Sequence, residues 1–454
     1  MTRAGRRARR GEPRAPASIA ATAAAAARRD AHEGDAGRRR RGGARDLAAR
    51  ALMLGLLGRV RNGAVIVNDG GRRHLCGRPV AGEPVPEVTV VSNRVWRAVA
   101  SEGSAGLGRS WFSGWWTCET LDDLTTFLRV IIRNLDAIEQ ASAFGGRLRA
   151  PIRRLLTRPD DRTGNSDADR RNVGAHYDLG NEFFALFLDE SMTYSSAIFA
   201  SPSATLHDAQ VEKLERICRK LALSPEHHVL EFGTGWGSFA IHAASRYGCK
   251  VTTTTTSERQ HELASERVKA AGLEDLVTVL REDYRDITGI YDRVVSIEMI
   301  EALDWRQHDR YFSTCANRLA PDGLMALQAI VIGDQVYERA KRTEDFVKRY
   351  VFPGSCIPSV SAIVGSVAGA TDMRLLSLED IGNHYAETLR RWRTSFEEHE
   401  PRMGALGIDE TSRRLFEYYL CYCEAAFAER RITDVQCVFA KPGWRAASLA
   451  RPAR

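Results

Sequence analysis

The sequence predicts an α/β fold, with a doubly wound, mostly parallel sheet preceded by a small α+β domain. From residue 173 onward, short apolar segments alternate with amphipathic segments of helical spacing. One glycine-rich stretch, VLEFGTGWGS, joins the first apolar segment to the first helix-like one at residues 229–238. Chains that alternate strand and helix in this way form parallel sheets with helices on both faces. No apolar run approaches the ~18 residues that a membrane span requires.

The elements of this sheet follow one another at short intervals. The predicted strands are VLEF (229–232), KVTTTTT (250–256), LVTVLRED (276–283), DRVVSIEM (292–299) and GLMALQAIVI (323–332). The first two helices are SFAIHAASRYG (238–248) and SERQHELASERVKAAG (257–272), and Ser257 is the expected N-cap of the second. Sheets of this type bind ligands at the carboxyl ends of their strands, where the strand order changes. We therefore expect the functional residues in the loops that follow the strands.

Five segments are predicted along the chain. Residues 63–77 predict two strands with a tight Asp-Gly-Gly turn, and residues 122–138 predict an amphipathic helix. The ends and the middle of the chain are polar or low in complexity and cannot bury a core. The segments are a disordered Ala/Arg-rich tail (1–45), a small amino-terminal domain (46–150), a linker (151–171), the main α/β domain (172–445) and a basic carboxyl-terminal tail (446–454).

The positive charge of the chain is concentrated near its first residue. The net charge is +7, yet residues 1–50 contain fourteen arginines and five acidic residues, a local balance of +9 that leaves −2 for the rest. This distribution argues against a nucleic-acid-binding domain, which carries its basic surface on the folded part. Nine cysteines without a CxxC pair favour reduced thiols in the cytoplasm, and no metal site is expected.

The glycine-rich stretch predicts a loop that a ligand approaches closely. Gly233, Gly235 and Gly237 follow a GxGxG spacing, which differs from the GxGxxG of dinucleotide-binding loops and lacks the lysine of a phosphate-binding P-loop. Glu231 precedes the exposed start of a helix, where its charge disfavours a pyrophosphate and suits a cation. S-adenosylmethionine (SAM), a sulfonium that also carries an ammonium group, fits this combination. A tight structural turn is the alternative interpretation.

Seven stretches, in order from residue 172 onward, resemble the cyclopropane-fatty-acyl-phospholipid synthases, which include the mycolic acid cyclopropane synthases. Residues 46–150 resemble, more weakly, the amino-terminal domain of the longer bacterial members. The stretches are NVGAHYDLGNEFFALFLDESMTYSSAIF (172–199), VLEFGTGWGSFA (229–240), TTSERQ (255–260), SIEMIEAL (296–303), KRYVFPGSCIPS (348–359), HYAETLRRW (384–392) and YYLCYCEAAF (418–427).

The resemblance implies a Rossmann-like, SAM-dependent methyltransferase domain. Members of the family transfer the methyl group of SAM to the double bond of an unsaturated acyl chain in a membrane phospholipid. The resulting carbocation loses a proton and closes a cyclopropane. The expected cofactor-binding residues combine the family matches with Glu231, and they are Tyr194, Ser195, Glu231, Gly233, Gly235, Gly237, Thr255, Thr256, Gln260, Asp283 and Tyr284.

The family binds a bicarbonate ion as general base, and the resemblance implies which residues hold it here. The matching positions of this set, together with a late cysteine associated with activity, are Glu301, Tyr385, Ile330, Gln328, Ser196 and Cys423. Two of them depart from the family, because Gln328 stands where many members have His and Ser196 where many have Cys. A glutamine amide can bind an anion but cannot titrate.

Structural roles remain open for several of these residues. Either Glu298 or Glu301 can cap the next helix, and Tyr385 can be a plain aromatic on a helix face. Cys423 can be a buried, inert thiol. His176, in a segment that the family places over the active site, can be structural.

Three functions are therefore considered. The first is cyclopropane formation on membrane phospholipids. The second is a methyl-branched or methylene product, with a partner reductase where the branch is saturated. The third is an inactive, lipid-binding homologue. Without a membrane span, the protein is expected in the cytoplasm, in peripheral contact with the inner face of the membrane. Docking or homodimerisation is assigned to residues 46–150.

Overall fold

The computed structural model describes residues 44–138 and 179–445, and within these ranges the chain forms two sheets. The strands are β1 (Gly63–Asp69), β2 (Arg72–Arg78), β3 (Glu87–Val90), β4 (Trp116–Cys118), β5 (His228–Phe232), β6 (Lys250–Thr254), β7 (Val277–Leu280), β8 (Tyr291–Ile297), β9 (Leu319–Ile332), β10 (Arg374–Asp380) and β11 (Ile432–Ala440).

Helices flank both sheets. The α-helices are α1 (Ala44–Leu57), α2 (Arg94–Glu102), α3 (Ser104–Phe112), α4 (Leu121–Arg133), α5 (Asn181–Phe184), α6 (Leu206–Lys220), α7 (Ser238–Tyr247), α8 (Glu258–Ala270), α9 (His308–Arg318), α10 (Asp334–Ala340), α11 (Phe346–Tyr350), α12 (Val360–Ala370), α13 (Gly382–Glu398), α14 (Glu400–Met403) and α15 (Glu410–Ala428). Short 3₁₀ helices lie at Ile300–Ala302, Trp305–Gln307 and Gly404–Leu406.

The larger sheet has seven strands in the order β10-β11-β9-β8-β5-β6-β7. The chain runs outward from β5 to β7 and then returns to β8 on the other side of β5, so the strand order changes between β5 and β8. The pairs among β5, β6, β7, β8 and β9 are parallel. All five predicted strands and the doubly wound order are confirmed. The carboxyl ends of β5 and β8 therefore mark the expected binding crevice.

Strands β10 and β11 were not predicted, and they make the sheet mixed. β11 pairs antiparallel with β9, in a register that sets Gln436 opposite Gln328 and Asp434 opposite Ile330. Every residue of β11 from Asp434 to Ala440 is buried, including these two polar side chains. Their burial interrupts the apolar pattern that identifies a central strand in a sequence.

The helix after β6 begins where the sequence predicts. Ser257 is extended and its side chain accepts a hydrogen bond from the backbone N–H of Gln260, which caps α8. Such a cap satisfies one of the free N–H groups of the first turn. The preceding helix, α7, starts from Gly237 in the left-handed conformation, with φ +88°.

The amino-terminal sheet has the order β2-β1-β3-β4. Strands β1 and β2 form the predicted hairpin, whose two turn residues, Gly70 and Gly71, both have positive φ. Two such residues define the turn type that best joins twisted strands. Helix α4 ends at Arg133, and after a turn at Asn134 the chain is helical again over residues 135–138, within the predicted range. The side chain of Asn134 there accepts hydrogen bonds from the backbone N–H groups of Arg61 and Asn62.

The amino-terminal sheet and its helices share one apolar core with α13 and α15 of the larger α/β part. Arg133 donates to the carboxylate of Glu429 over 2.8 and 2.9 Å, and Arg393 donates to Asp122 over 2.6 Å. The two parts of the described chain are therefore in direct contact. The boundaries 46–150 and 172–445 stay predictions. The linker (151–171), the tail at 446–454, His176 and all but the last two residues of the predicted tail 1–45 lie outside the described residues.

Within the described ranges, no helix combines the length and apolar character needed to cross a membrane.

Candidate active site

The glycine-rich loop leaves β5 at the change in strand order and opens into a large cavity. Gly233, Gly235 and Gly237 have φ values of +92°, +52° and +88°, a region that side chains other than glycine rarely adopt. A Cβ atom built on Gly235 would meet no protein atom within 4 Å. The loop thus presents bare backbone to open space, which is the surface that a ligand of the cavity would contact.

Residues 191–194, which precede α6 in the chain, are held against the glycine-rich loop. The Ser238 hydroxyl and the Arg267 guanidinium both donate to the carbonyl of Ser191, over 2.7 and 2.9 Å. Tyr194, a few residues later, lines the cavity and donates to the hydroxyl of Tyr419 over 3.1 Å. The predicted contact of Tyr194 and Ser195 with the cofactor is therefore geometrically possible, because both residues and the glycine-rich loop border the same cavity.

Glu231 is buried at the end of β5, close to a lysine that the sequence analysis did not identify. Burial raises the pKa of Glu231 to about 8, although Thr253 donates to its carboxylate over 2.6 Å. Lys213, on α6, is fully buried, and burial lowers the pKa of its amine to about 8. Its amine donates to the hydroxyl of Ser195 over 2.6 Å. Glu231 and Lys213 both line the cavity, so a buried lysine amine lies beside the predicted acidic residue.

The remaining predicted cofactor residues also border the cavity. Thr255 donates to the side-chain carbonyl of Gln260 over 2.9 Å, which fixes the end of β6. The carboxylate of Asp283 accepts hydrogen bonds from the guanidinium of Arg285 at both oxygens. Asp283 is therefore an ion-pair partner as well as a predicted cofactor contact. Tyr284 packs its ring between Phe232 and Tyr311.

A cluster of acidic and amide side chains borders the cavity after β8. The carboxylate of Glu298 accepts from the backbone N–H of Ser196 and from the amide of Gln328, each over 2.8 Å. It also accepts from the hydroxyl of Tyr385 over 2.6 Å. The hydroxyl of Ser196 instead donates to the carbonyl of Ala197. Ser196 therefore contributes its backbone to the cluster, and its hydroxyl, expected to act as a donor there, does not.

Glu301 is the second acid of the cluster. One oxygen accepts from the backbone N–H of Ile330, and the other has no partner among the described residues. Burial and then the charge of Glu298 raise the pKa of Glu301 to about 8. Neither glutamate caps the 3₁₀ helix at Ile300–Ala302, whose N-cap is Met299.

Cys423 lines the cavity from α15, alongside the ring of Phe427. Burial raises the pKa of the Cys423 thiol far above its usual value, which keeps it protonated and a poor nucleophile. Phe427 stacks on Tyr385, with ring centroids 4.2 Å apart. This geometry favours a packing role for Cys423, and its predicted catalytic role stays a prediction.

The chain is similar to several characterised proteins. The sequence model of the family described as mycolic acid cyclopropane synthetase matches residues 165–437. The tuberculostearic acid methyltransferase UfaA1 of Mycobacterium tuberculosis is 37% identical over 354 residues, 76% of this chain and 81% of that protein. The cyclopropane-fatty-acyl-phospholipid synthase of Escherichia coli is 34% identical over 372 residues, 80% of this chain and 90% of that protein.

The chain belongs to the mycolic acid cyclopropane synthetase family of SAM-dependent methyltransferases. The predicted enzyme class, a SAM-dependent C-methyltransferase, is thereby confirmed. Two solved structures agree in fold. The cyclopropane synthase MmaA2 from Mycobacterium tuberculosis has a TM-score of 0.57 at 27% identity. The mycolic acid cyclopropane synthase CmaA1, complexed with SAH and CTAB, has a TM-score of 0.56 at 28% identity. Each covers 62% of this chain and 100% of the other.

The residues of this family member fit SAM as cofactor. The open space beside Gly235 lies in the same cavity as Glu231, which combines a close backbone approach with a buried acid. Of the predicted cofactor residues, all but Gly237 line the cavity, and of the predicted catalytic residues Glu301, Tyr385, Ile330 and Cys423 do. Ser196 and Gln328 instead contact Glu298, which lines the cavity. Lys213, Asp434 and Gln436 were not predicted from the sequence, and Glu298 was one of two candidates for a helix cap. A lysine in an otherwise amphipathic helix gives no signal of its own burial.

Proposed function

We propose that this methyltransferase alkylates the double bond of an unsaturated acyl chain in a membrane phospholipid and closes a cyclopropane. The observation that carries the proposal is a single cavity of 2740 Å³ that extends from the glycine-rich loop to apolar side chains of both parts of the chain. Most small-molecule sites are several times smaller. A volume of this size accommodates a nucleoside cofactor and a long apolar chain together.

The apolar part of the cavity suits an acyl chain. Its walls combine residues of the amino-terminal helices with residues of β9 and α15. They include Leu52, Met53, Leu128, Ile131, Ile332, Phe352, Tyr422 and Ala426. Arg339, Arg342 and Arg349 also border the cavity. Arg342 is paired with Glu338, and Arg349 with Glu344 and Glu102, so a lipid phosphate would bind here in competition with these carboxylates. Peripheral contact with the cytoplasmic face of a membrane follows from this substrate and is part of the proposal.

The glycine-rich loop, the aromatic side chains and the acid cluster each contribute to the reaction. When bound, SAM supplies an electrophilic methyl group, and the loop at 233–237 with Glu231 would hold it. An alkene is a weak nucleophile, so the site must orient it and exclude water. The aromatic faces of Tyr385, Tyr419 and Phe427 line the cavity and would stabilise a carbocation on the acyl chain. A base in the acid cluster then accepts a proton from the substrate.

A methyl-branched product is the second candidate. It is favoured by the 37% identity to a tuberculostearic acid methyltransferase. Loss of a proton from the alkylated chain without ring closure gives a methylene group, and a saturated branch then requires a reductase that supplies hydride. Bicarbonate as base remains a prediction from the family resemblance.

Mass spectrometry of acyl chains tests the proposal. Purified protein is incubated with SAM and with vesicles of phosphatidylglycerol that carry monounsaturated chains. A gain of one CH₂ per chain, with cyclopropane protons in the NMR spectrum, is expected. A gain of CH₂ with the =CH₂ protons of a 1,1-disubstituted alkene, and without cyclopropane protons, supports the methylene product instead. SAM binding without any mass gain contradicts both and identifies an inactive homologue.

A further inference from the structure

The carboxylate of Glu298 holds the position that an external anion would need. The family resemblance assigns bicarbonate binding to residues at positions 196, 328, 330, 385 and 301. Here, donors at three of these positions already contact Glu298, and the N–H of Ile330 contacts Glu301. Every one of these donors therefore serves a carboxylate of the chain itself. A separate bicarbonate does not fit, because it would lack donors and would face two acids.

A chain of hydrogen bonds fixes which end of Gln328 faces Glu298. Lys220, which can only donate, reaches the side-chain oxygen of Gln436 over 2.6 Å. The amide nitrogen of Gln436 then donates to the oxygen of Gln328 over 3.0 Å. The nitrogen of Gln328 is left to donate to Glu298 and, over 2.9 Å, to Asp434. The lysine thus orients both amides so that donors converge on the acids.

Among the three acids of the cluster, Glu298 accepts the most hydrogen bonds. Burial, and then the charge of Glu298, raise the pKa values of both Asp434 and Glu301. These two acids are therefore held neutral, while three donors converge on Glu298. Lys213 adds positive charge near both Glu298 and Glu231. Glu298 lines the cavity, so its carboxylate is within reach of a bound acyl chain.

The backbone of Glu298 is held in an uncommon conformation. Its φ is +49°, in the left-handed region that a glutamate seldom adopts. Its N–H donates to the carbonyl of Gln328 over 2.8 Å, which anchors the residue to β9. Strain of this kind persists where the surrounding structure imposes it, and it is common at active sites.

We propose that Glu298 is the base of the reaction, in place of a bound bicarbonate; this rests on the proposed alkylation of an acyl double bond. After methyl transfer, the acyl chain is a carbocation. A C–H bond of the new methyl group breaks, its electron pair forms the third C–C bond of the ring, and the proton passes to the Glu298 carboxylate. The glutamic acid then releases this proton to water. A carbocation is acidic enough for a carboxylate to deprotonate it.

The test compares Glu298 variants with and without bicarbonate. Turnover is measured on monounsaturated phosphatidylglycerol vesicles, in buffer freed of carbon dioxide and in the same buffer with bicarbonate. We expect equal turnover of the wild type in both buffers. Glu298→Gln should lower kcat by about 100-fold or more, with unchanged SAM affinity, because a general base contributes about that much. Glu298→Gly relieves the positive φ and opens space, so bicarbonate should partly restore its turnover.

Glu215→Gln is the matched control. Glu215 is a half-buried glutamate that accepts hydrogen bonds from Tyr247 and His242 and lies outside the cavity. Its replacement should leave turnover unchanged. Wild-type turnover that requires bicarbonate, or a Glu298→Gln variant with wild-type kcat, would overturn this inference. A wild type that methylates no acyl chain in either buffer would instead overturn the proposed function.

Discussion

At the scale of single residues, Glu301 shows how burial sets the charge of the site. The folded protein raises the pKa of Glu301 from the ordinary 4.5 to about 8, through burial and then through Glu298. Between these two values the folded state binds a proton that the unfolded chain releases. Stability from this group is therefore fully present below pH ~4.5 and is lost as the pH rises through about 8.

Glu301→Gln is predicted to reduce the pH dependence of stability. For the wild type, this one group lowers the free energy of unfolding by up to about 1.4 kcal/mol per pH unit over that interval. The glutamine binds no proton, so its variant should show a smaller slope. Urea unfolding at pH 5 to 8 measures the slopes, and Glu215→Gln should retain that of the wild type. Equal slopes for Glu301→Gln and the wild type would contradict the prediction.

The sequence predicted the members of the acid cluster better than their contacts. Glu301, Tyr385, Gln328, Ile330 and Ser196 were matched by motif, and the structure brings all five together. The sequence could not show that Ser196 contacts Glu298 through its backbone N–H, because a motif identifies side chains only. Nor could the sequence show that Glu298 belongs to the acid cluster rather than capping a helix. Its left-handed backbone, which directs the side chain into the cluster, is held by a hydrogen bond to β9.

At the scale of elements, the loop between β5 and α7 combines a structural and a binding requirement. Gly237 packs against α8, because a Cβ atom there would lie 3.4 Å from the Cβ of Ala264. Gly235 faces open cavity and has no such neighbour. Gly237 is therefore required by its left-handed backbone at the start of α7, whereas Gly235 also leaves open space beside the loop.

Gly235→Ala is predicted to weaken SAM binding at least about 10-fold while the protein remains folded, because a methyl group enters the space beside the loop. Calorimetric titration with SAM measures the affinity. Gly272→Ala is the control: Gly272 also has positive φ and nothing within 4 Å, but lies outside the cavity. Both variants should lose about 1 kcal/mol of stability from the positive φ. An equal SAM affinity for the two would contradict the assignment of Gly235.

One of the two strands of the larger sheet that the sequence did not predict, β11, carries residues of the site. Strand β11 carries Asp434 and Gln436 on buried positions, where a central strand usually carries apolar side chains. Their partners come from β9 and α6, far away in the sequence. The parallel strands have uninterrupted apolar or threonine-rich segments and were therefore predicted correctly.

At the scale of the whole molecule, the cavity depends on contact between the amino-terminal helices and the catalytic region. Trp116 and Phe112, from the first part, lie against the rings of Tyr418 and Tyr350 from the second. The family motifs alone do not reveal this shared core, because each describes one part of the chain. Removal of the amino-terminal part would expose this core, so single substitutions test the contact better than truncation.

Gly108→Ala is predicted to destabilise the whole protein. Gly108, on α3, lies so close to the ring of Phe346 that a Cβ atom would overlap it, and Tyr418 blocks the space on another side at 2.9 Å. Overpacking of this kind costs about 1–3 kcal/mol. Because the two parts share one core, thermal unfolding should remain a single transition at a lower temperature. Gly55→Ala, on α1 with nothing within 4 Å, is the control and should stabilise slightly, since alanine favours helix. A separate early transition in Gly108→Ala, with the catalytic part unfolding as in the wild type, would show that the two parts are stable independently.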